Sequence, residues 1–302
     1  MKMNSTLKQL LLVSSLSLAA SLSATAVQAD EKDKKPSFSK VTVTDNISML
    51  QGKGGNIGIL KGDDGLLMID DDYQDMSKAL KKALRKLGGA KKVAYLINTH
   101  WHGDHTGGNF MMGDYTTIVA HDNVRARLLT AQEIKLFGMK SDPYPAHALP
   151  SITYQSTLNL YINDEEVQLV HFAGGHTDGD SVVFFKKANV VHMGDHFFNG
   201  IFPFIDIGTG GSAVRMAENV AKVLTMIDNE TKVIPGHGPL ANKKDLKAFH
   251  AMLVGTTAEV KAMKNKGLTI EQAKKQGLSK AWEKWSSFIN TETWIGIVYQ
   301  SL

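Results

Sequence analysis

Side chains able to bind a metal ion crowd into the stretch INTHWHGDHTGGN, residues 97–109. In an extended chain residues i and i+2 point to the same side, so His100 and His102 can reach one ion. Asp104 and His105 follow where the chain is expected to turn into a helix, and they can point to a second position nearby. A single histidine more often packs structurally than binds a metal, but this spacing between an apolar run and a glycine-rich turn favours ligation.

Three further stretches place a polar side chain beside glycine at the end of a β-like run. They are GGHTDGD with His176, HMGDHFF with Asp195 and IPGHGP with His237. Loops at sheet edges commonly contain catalytic residues. Six or seven ligands are enough for two ions and too many for one tetrahedral zinc. Imidazoles and carboxylates, in a chain without cysteine, favour two zinc ions and would also accept iron or manganese.

The elements that position these residues alternate between strands and helices. Residues 93–97 predict a buried strand that ends before His100, and apolar spacing over 75–89 predicts a helix stopped by Gly88. The other principal elements are hairpins over 157–173 and 181–195, helices over 122–137, 212–227 and 242–267, and a proline-rich loop over 138–150. Because strands and helices alternate in both halves of the chain, two sheets with helices outside are expected.

The N-terminal residues 1–29 are expected to be a secretory signal peptide. Lys2 and Lys8 flank the start of an apolar, serine-containing stretch, and the small Val27 and Ala29 fit a cleavage site. A membrane anchor is the alternative, but the strongly apolar part is far shorter than the ~20 residues that a span needs. The mature protein is therefore expected in the periplasm or outside the cell, without stable insertion in a membrane.

The remaining chain is expected to comprise a disordered lead over residues 30–37 and a single domain over 38–302 with a C-terminal helical extension. Without residues 1–29 the 34 basic residues fall to 32 against 30 acidic ones, because only Lys2 and Lys8 are lost. This balance and the absence of a basic block argue against a nucleic-acid partner and favour a small-molecule substrate. The absence of cysteine excludes disulfides and thiolate ligands.

Taken in order, the motifs THWHGDH, GGHT, GD and PGHG resemble those of the metallo-β-lactamase superfamily over about residues 40–245. The resemblance implies an α/β fold, namely an αββα sandwich with two mixed sheets, outer helices and a two-metal site at one edge. The implied ligands are His100, His102 and His176 for the first metal, Asp104, His105 and His237 for the second, and Asp195 bridging both.

The segment that follows His176 points to a branch of the superfamily. Its spacing resembles that of a subclass of true β-lactamases. Those enzymes have a cysteine where this chain has Asp195, and a substrate-binding lysine where this chain has Phe198. The bridging aspartate instead resembles glyoxalase II, the lactonases and the broad hydrolase group. The stretches GGNIGIL, GDHFFNGIFPFID and VYQSL are similar to the exported cyclase-like or quinoprotein-relay metallohydrolases.

These features predict an exported dinuclear zinc hydrolase of a small ester, lactone, amide or thioester. Two ions ~3.5–4 Å apart can share a hydroxide, since the pKa of the bound water falls toward ~7, and this hydroxide attacks the substrate. Asp104 would orient that nucleophile while it binds its metal. Two alternatives stay open: a β-lactamase of modest activity, and a non-catalytic periplasmic metal-binding or partner protein.

The residues after Asp195 are the candidates for substrate contact. Of Phe197, Phe198, Phe202 and Phe204, one or two are expected to line an apolar wall, and the others to pack against the C-terminal tryptophans. His196 directly follows the predicted bridging ligand, so it either supports the metal site, faces the substrate or packs structurally.

Overall fold

The computed structural model describes residues 35–302, so the expected signal peptide lies outside the described residues. Ser37–Leu302 form one compact unit. Within the described range, none of the helices combines the length and the apolar character needed to cross a membrane.

Strands make up two large sheets and one separate hairpin. In chain order they are β1 Ser39–Thr42, β2 Ile47–Gln51, β3 Ile57–Gly62, β4 Gly65–Ile69, β5 Val93–Ile97, β6 Thr117–His121, β7 Gln132–Ile134, β8 Met139–Ser141, β9 Ile152–Tyr154, β10 Thr157–Ile162, β11 Glu165–His171, β12 Ser181–Phe185, β13 Val190–His192, β14 Lys232–Ile234 and β15 Ala241–Asn242.

The first sheet has the order β1-β2-β3-β4-β5-β6-β9, and the second has the order β10-β11-β12-β13-β14-β15. Both sheets are mixed. In the first, β1 to β4 pair antiparallel, and β4, β5, β6 and β9 pair parallel. In the second, only β13 and β14 pair parallel. Strands β7 and β8 pair only with each other.

Helices cover the outer faces of the sheets. The α-helices are α1 Ser77–Arg85, α2 Gly103–Thr106, α3 Asn109–Met112, α4 Asp122–Leu128, α5 Ala213–Met226, α6 Lys243–Asn265, α7 Ile270–Gln276 and α8 Thr291–Ser301. The 3-10 turns are Gln74–Met76, Ala90–Lys92, Ala146–Ala148, Gly194–His196, Ile207–Thr209 and Lys280–Trp285.

Alternation along the strands builds three apolar layers from two sheets. Val183 of β12 and Leu60 of β3 pack between the sheets. Their chain neighbours point the other way, because successive side chains of a strand face opposite sides. Val182 packs in the cluster that includes α5 and α6, and Ile59 packs in the cluster that includes α1. The result is the αββα sandwich with two mixed sheets and outer helices, which confirms the expected fold.

Several local predictions are also confirmed. The helix over 75–89 is present as α1, the strand over 93–97 is β5, and both hairpins form. Asn163 and Asp164 make the β10–β11 turn with φ angles of 56° and 57°, a left-handed conformation that Asn and Asp tolerate better than other side chains.

The predicted helix over 122–137 is wrong in its second half. Helix α4 ends at Leu128, and the chain then forms the hairpin β7–β8, so the proline-rich loop predicted over 138–150 begins with a strand. Gly138 makes the turn with a φ angle of 60°. The apolar side chains at helical spacing are not buried as a helix face would be: Leu136 is 49% exposed, and Ile134 and Phe137 are only partly buried against the core. A periodic pattern alone did not reveal that Ile134 and Phe137 line a cavity.

The layer between the sheets should dominate stability. We expect Phe185→Ala, which removes a ring that is 1% exposed there, to lower the free energy of unfolding by about 3–5 kcal/mol. Tyr161→Ala is the matched control, because Tyr161 is 74% exposed and its replacement should change stability by about 0.5 kcal/mol or less. Urea unfolding measures both, and equal effects would contradict this description of the core.

Candidate metal centre

Four loops at one end of the sandwich bring the seven predicted ligands together. The loop after β5 leads into the short helix α2, and the loops after β11, β13 and β14 supply one ligand each. Three groups of side chains have ligand atoms within 4.8 Å of one another: His100, His102 and His176; His100, His105 and Asp195; and Asp104, His105 and His237.

The first predicted set lies almost wholly out of contact with solvent. His102 Nδ1 lies 2.8 Å from His176 Nε2, and His176 Nε2 lies 3.3 Å from Asp195 Oδ2. His100 Nε2 is 3.8 Å from the same carboxylate oxygen. The three imidazoles therefore direct one nitrogen each toward a common point beside Asp195.

The second set lies nearer the opening. Asp104 Oδ2 is 3.2 Å from His237 Nε2, and His105 Nε2 is 3.3 Å from the same nitrogen. Asp195 Oδ1 is 3.1 Å from His105 Nε2, while Asp195 Oδ2 is 3.5 Å from His237 Nε2. Asp195 thus lies between the two sets, which is the position that a bridging ligand requires.

The donor atoms fit bound metal ions. His100 Nε2 and Asp195 Oδ1 are buried and have no hydrogen-bond partner within the protein, although buried polar atoms normally have one. Nitrogen and oxygen donors without thiolate suit zinc and other divalent transition ions. The structure therefore contains a candidate metal-binding site.

The charges of the clustered side chains also favour a bound metal ion. Burial alone would raise the pKa of Asp195, but the surrounding imidazoles, above all His105 and His237, hold it well below its usual range. Burial opposes charge on His237 as well, yet Asp195 and Asp104 raise its pKa to about 9. The carboxylates stay ionised in a buried site and therefore require nearby positive charge, which a metal ion supplies more effectively than a protonated imidazole.

Each of four histidine ligands is held by a bond to its other ring nitrogen. Such outer partners fix the orientation of a metal-binding imidazole. The pairs are His105 Nδ1 with Asp70 Oδ2 at 2.8 Å, His100 Nδ1 with Thr99 Oγ1 at 3.0 Å, His102 Nε2 with Asp206 Oδ2 at 3.2 Å, and His176 Nδ1 with the Phe204 carbonyl at 2.8 Å.

Sequence reasoning missed Asp70 and Asp206. A usable signal existed for Asp70, since three consecutive aspartates follow the apolar run of β4 and a buried strand end rarely contains such a run. Asp70 also accepts hydrogen bonds from the Thr99 backbone and hydroxyl, both 2.8 Å long. Asp206 had no comparable signal, because only the folded loop brings it beside His102.

Two more aspartates shape the loops around the centre. Asp72 accepts the backbone N–H groups of Lys53 and Gly54 and so holds the β2–β3 loop against the site. Asp180 accepts the N–H of His176 at 2.7 Å, and burial raises the pKa of Asp180 to about 8. Both carboxylates position backbone rather than metal.

A cavity of about 250 Å³ opens directly above the ligands. Its floor includes His102, Asp104, Asp195 and His237, and its wall is largely aromatic and aliphatic. Enclosure by apolar walls around a few convergent polar groups is typical of small-molecule sites.

Two of the four candidate substrate residues do not face this cavity. His196 is 1% exposed, and its Nε2 accepts a hydrogen bond of 3.1 Å from the side-chain amide of Asn219. Phe202 is completely buried and stacks on Trp294 with ring centroids 5.5 Å apart. Their placement makes both structural, because the chain folds back after Asp195 and directs alternate aromatic rings into the core.

The other two candidates, Phe198 and Phe204, do line the cavity. Phe198 stacks on His237 with ring centroids 5.0 Å apart, and Phe204 lies 5.6 Å from the His102 ring.

Asp70 gives a direct test of how outer residues support the centre. We expect Asp70→Asn to weaken zinc binding by about 10–100-fold, because an amide holds the His105 ring less firmly than a carboxylate. Isothermal titration of the metal-free protein with zinc measures the dissociation constant, and exposed Asp63→Asn serves as the control. Equal affinities in a folded Asp70→Asn variant would contradict this role.

The chain is similar in sequence to proteins named as a metallo-hydrolase and as a metallo-beta-lactamase. A probable metallo-hydrolase of Methanocaldococcus jannaschii is 27% identical to the chain over 186 residues, which are 59% of this chain and 84% of the relative. A metallo-beta-lactamase type 2 of Bacillus cereus is 26% identical over 188 residues, which are 61% of this chain and 67% of that protein.

Among solved structures, a metallo-beta-lactamase from Pontibacter korlensis superposes with a TM-score of 0.58 at 14% identity, covering 72% of this chain and 99% of that one. At this identity the likeness concerns the fold alone. Residues 50–237, more than half of the chain, match the family described as the metallo-beta-lactamase superfamily. The chain therefore belongs to the metallo-beta-lactamase superfamily.

Proposed function

We propose that the protein is an exported dinuclear zinc hydrolase that cleaves a small ester, lactone, amide or thioester. The observation that carries the proposal is the cluster of seven histidine and aspartate side chains, four of which form the floor of one cavity. Export rests on the composition of residues 1–29, and zinc rests on the imidazole and carboxylate donors in a chain without cysteine.

The chemistry would divide between the metals and the protein. The seven clustered side chains would hold two divalent ions, which would supply an activated water and polarise the scissile carbonyl. Asp104, whose side chain is 19% exposed at the cavity floor, would accept a hydrogen bond from the attacking water and orient it. Its pKa supports this role, since His105 and His237 lower it against the effect of burial and keep the carboxylate ionised.

The cavity favours a small carbonyl substrate over a β-lactam. A β-lactam has a carboxylate that needs a cation, and the position where related β-lactamases have lysine is the buried ring of Phe198. Among the described residues, Lys53 is the one basic Lys or Arg side chain that lines the cavity, and it is paired with Asp75. Modest β-lactamase activity remains the second candidate, supported by the Bacillus cereus relative.

Metal content and turnover test the proposal together. Protein loaded with zinc should contain two ions per chain, and removal by a chelator should abolish hydrolysis until zinc is restored. We expect Asp104→Asn to lower kcat/KM by about 100-fold or more, because a positioned proton acceptor is lost. Exposed Asp63→Asn should leave kcat/KM unchanged.

A substrate panel separates the candidate functions. Turnover of lactones, esters or thioesters without turnover of nitrocefin supports the proposed activity. Turnover of nitrocefin that requires Asp104 favours the β-lactamase. A protein that holds two zinc ions and turns over none of these compounds favours the third candidate, a non-catalytic periplasmic metal-binding or partner protein. Neither a nucleic-acid partner nor a membrane partner is expected for any of the three candidates.

A further inference from the structure

One wall of the cavity above the metal centre is apolar and comes from three distant parts of the chain. Hairpin β7–β8 contributes Ile134, Phe137 and Met139. The loop after Asp195 contributes Phe204, together with Phe198 and Ile201, and the segment before α8 contributes Phe288. Folding has thus gathered apolar side chains from three separate segments on one side of the cavity, where the buried Phe198 and Phe204 also belong to the core.

The rings form a continuous path from the metal ligands to solvent. Phe204 lies 5.6 Å from the His102 ring, and Phe137 lies 4.8 Å from Phe204. Phe288 lies 5.2 Å farther along, measured between its ring centroid and that of Phe137. These three rings, which we call the Phe204–Phe137–Phe288 ladder, therefore begin at the predicted first metal and end at the cavity mouth.

The outer end of this ladder is uncovered. Phe288 is 69% exposed and Met139 is 46% exposed. Large apolar side chains that cluster at the mouth of a site usually mark binding, because the protein gains nothing for its own fold from exposing them together. Their continuity with the metal centre identifies the occupant as part of the molecule that reacts there.

Charge separates the two ends of the cavity. The floor contains the carboxylates and imidazoles, and Lys53 lies on the rim with its partner Asp75. None of the described Lys or Arg residues other than Lys53 lines the cavity. The wall therefore suits an uncharged alkyl chain, and the floor suits a compact polar head.

We propose that the substrate has an unbranched, medium-length alkyl or acyl chain that lies along the Phe204–Phe137–Phe288 ladder while its carbonyl head reaches the metal centre. The hydrolysis of that head rests on the proposed function, whereas the binding of the chain does not. Phe137 and Phe288 are then specificity-determining residues, and the hairpin that contains Phe137 is the element that sets the length of the accepted chain.

A chain-length series in binding tests this inference without requiring turnover. Butyrate, hexanoate, octanoate and decanoate share a carboxylate head and differ only in tail, and calorimetric titration of the zinc-loaded protein gives each dissociation constant. We expect affinity to rise about threefold for each added methylene, as burial of apolar surface predicts, until the tail passes Phe288.

Substitutions at the ladder should flatten that dependence. Phe288→Ser and Phe137→Ser should weaken octanoate and decanoate binding and leave butyrate unchanged. Tyr161→Ser is the matched control, since Tyr161 is an equally exposed aromatic residue on β10 that does not line the cavity, and it should change none of the affinities.

Hydrolysis of γ-butyrolactone, γ-hexalactone, γ-octalactone and γ-decalactone provides the parallel reading. A steep binding series in a protein that hydrolyses none of these lactones and none of the esters, amides and thioesters of the panel supports the apolar site and contradicts the proposed hydrolase activity. Hydrolysis with a flat binding series, or a steep series that Phe137→Ser and Phe288→Ser leave intact, overturns the inference and leaves the hydrolase activity standing.

Discussion

The rest of the site depends on one buried carboxylate, Asp195, which lies between two groups of imidazoles. Its two oxygens lie within 3.8 Å of nitrogens from His100, His105, His176 and His237. A charge so deeply buried is costly unless opposite charge lies close by. Because of this constraint, the loops after β5, β11 and β14 reach the same edge of the sandwich, and hydrogen bonds from behind hold four of the histidines, as Asp70 does for His105.

The two sheets that position the ligands are separate from the segments that form the mouth of the cavity. The two sheets and their shared core hold the strand ends in place, and the ligands lie on the short loops that follow those ends. The residues that meet solvent above the ligands come from the hairpin β7–β8 and from the segment before α8, which pair with neither large sheet. Under the proposed function, metal binding would depend on the strand ends of the scaffold, and substrate selection on these two segments together with the loop after Asp195.

The alternation of strands and helices predicted two sheets with outer helices, and the resemblance to the superfamily implied the sandwich. Motifs at strand ends were sufficient to predict the seven clustered side chains, because such motifs report on backbone geometry. The sequence was insufficient for residues that reach the site only through tertiary contacts. Asp206 supports His102 from 104 positions away along the chain. Helical spacing misidentified the hairpin at 132–141, since the same apolar residues serve a cavity wall. The rings after Asp195 could not be divided between core and cavity before the turn direction was known.

In the proposed dinuclear centre, two metal ions share Asp195. Diffraction from zinc-grown crystals, with data on both sides of the zinc absorption edge, locates each ion directly. We expect two anomalous peaks about 3.5–4 Å apart, one among His100, His102 and His176 and the other among Asp104, His105 and His237, with Asp195 contacting both. A single fully occupied peak, or two peaks of which one lies away from Asp195, would contradict a dinuclear centre bridged by Asp195.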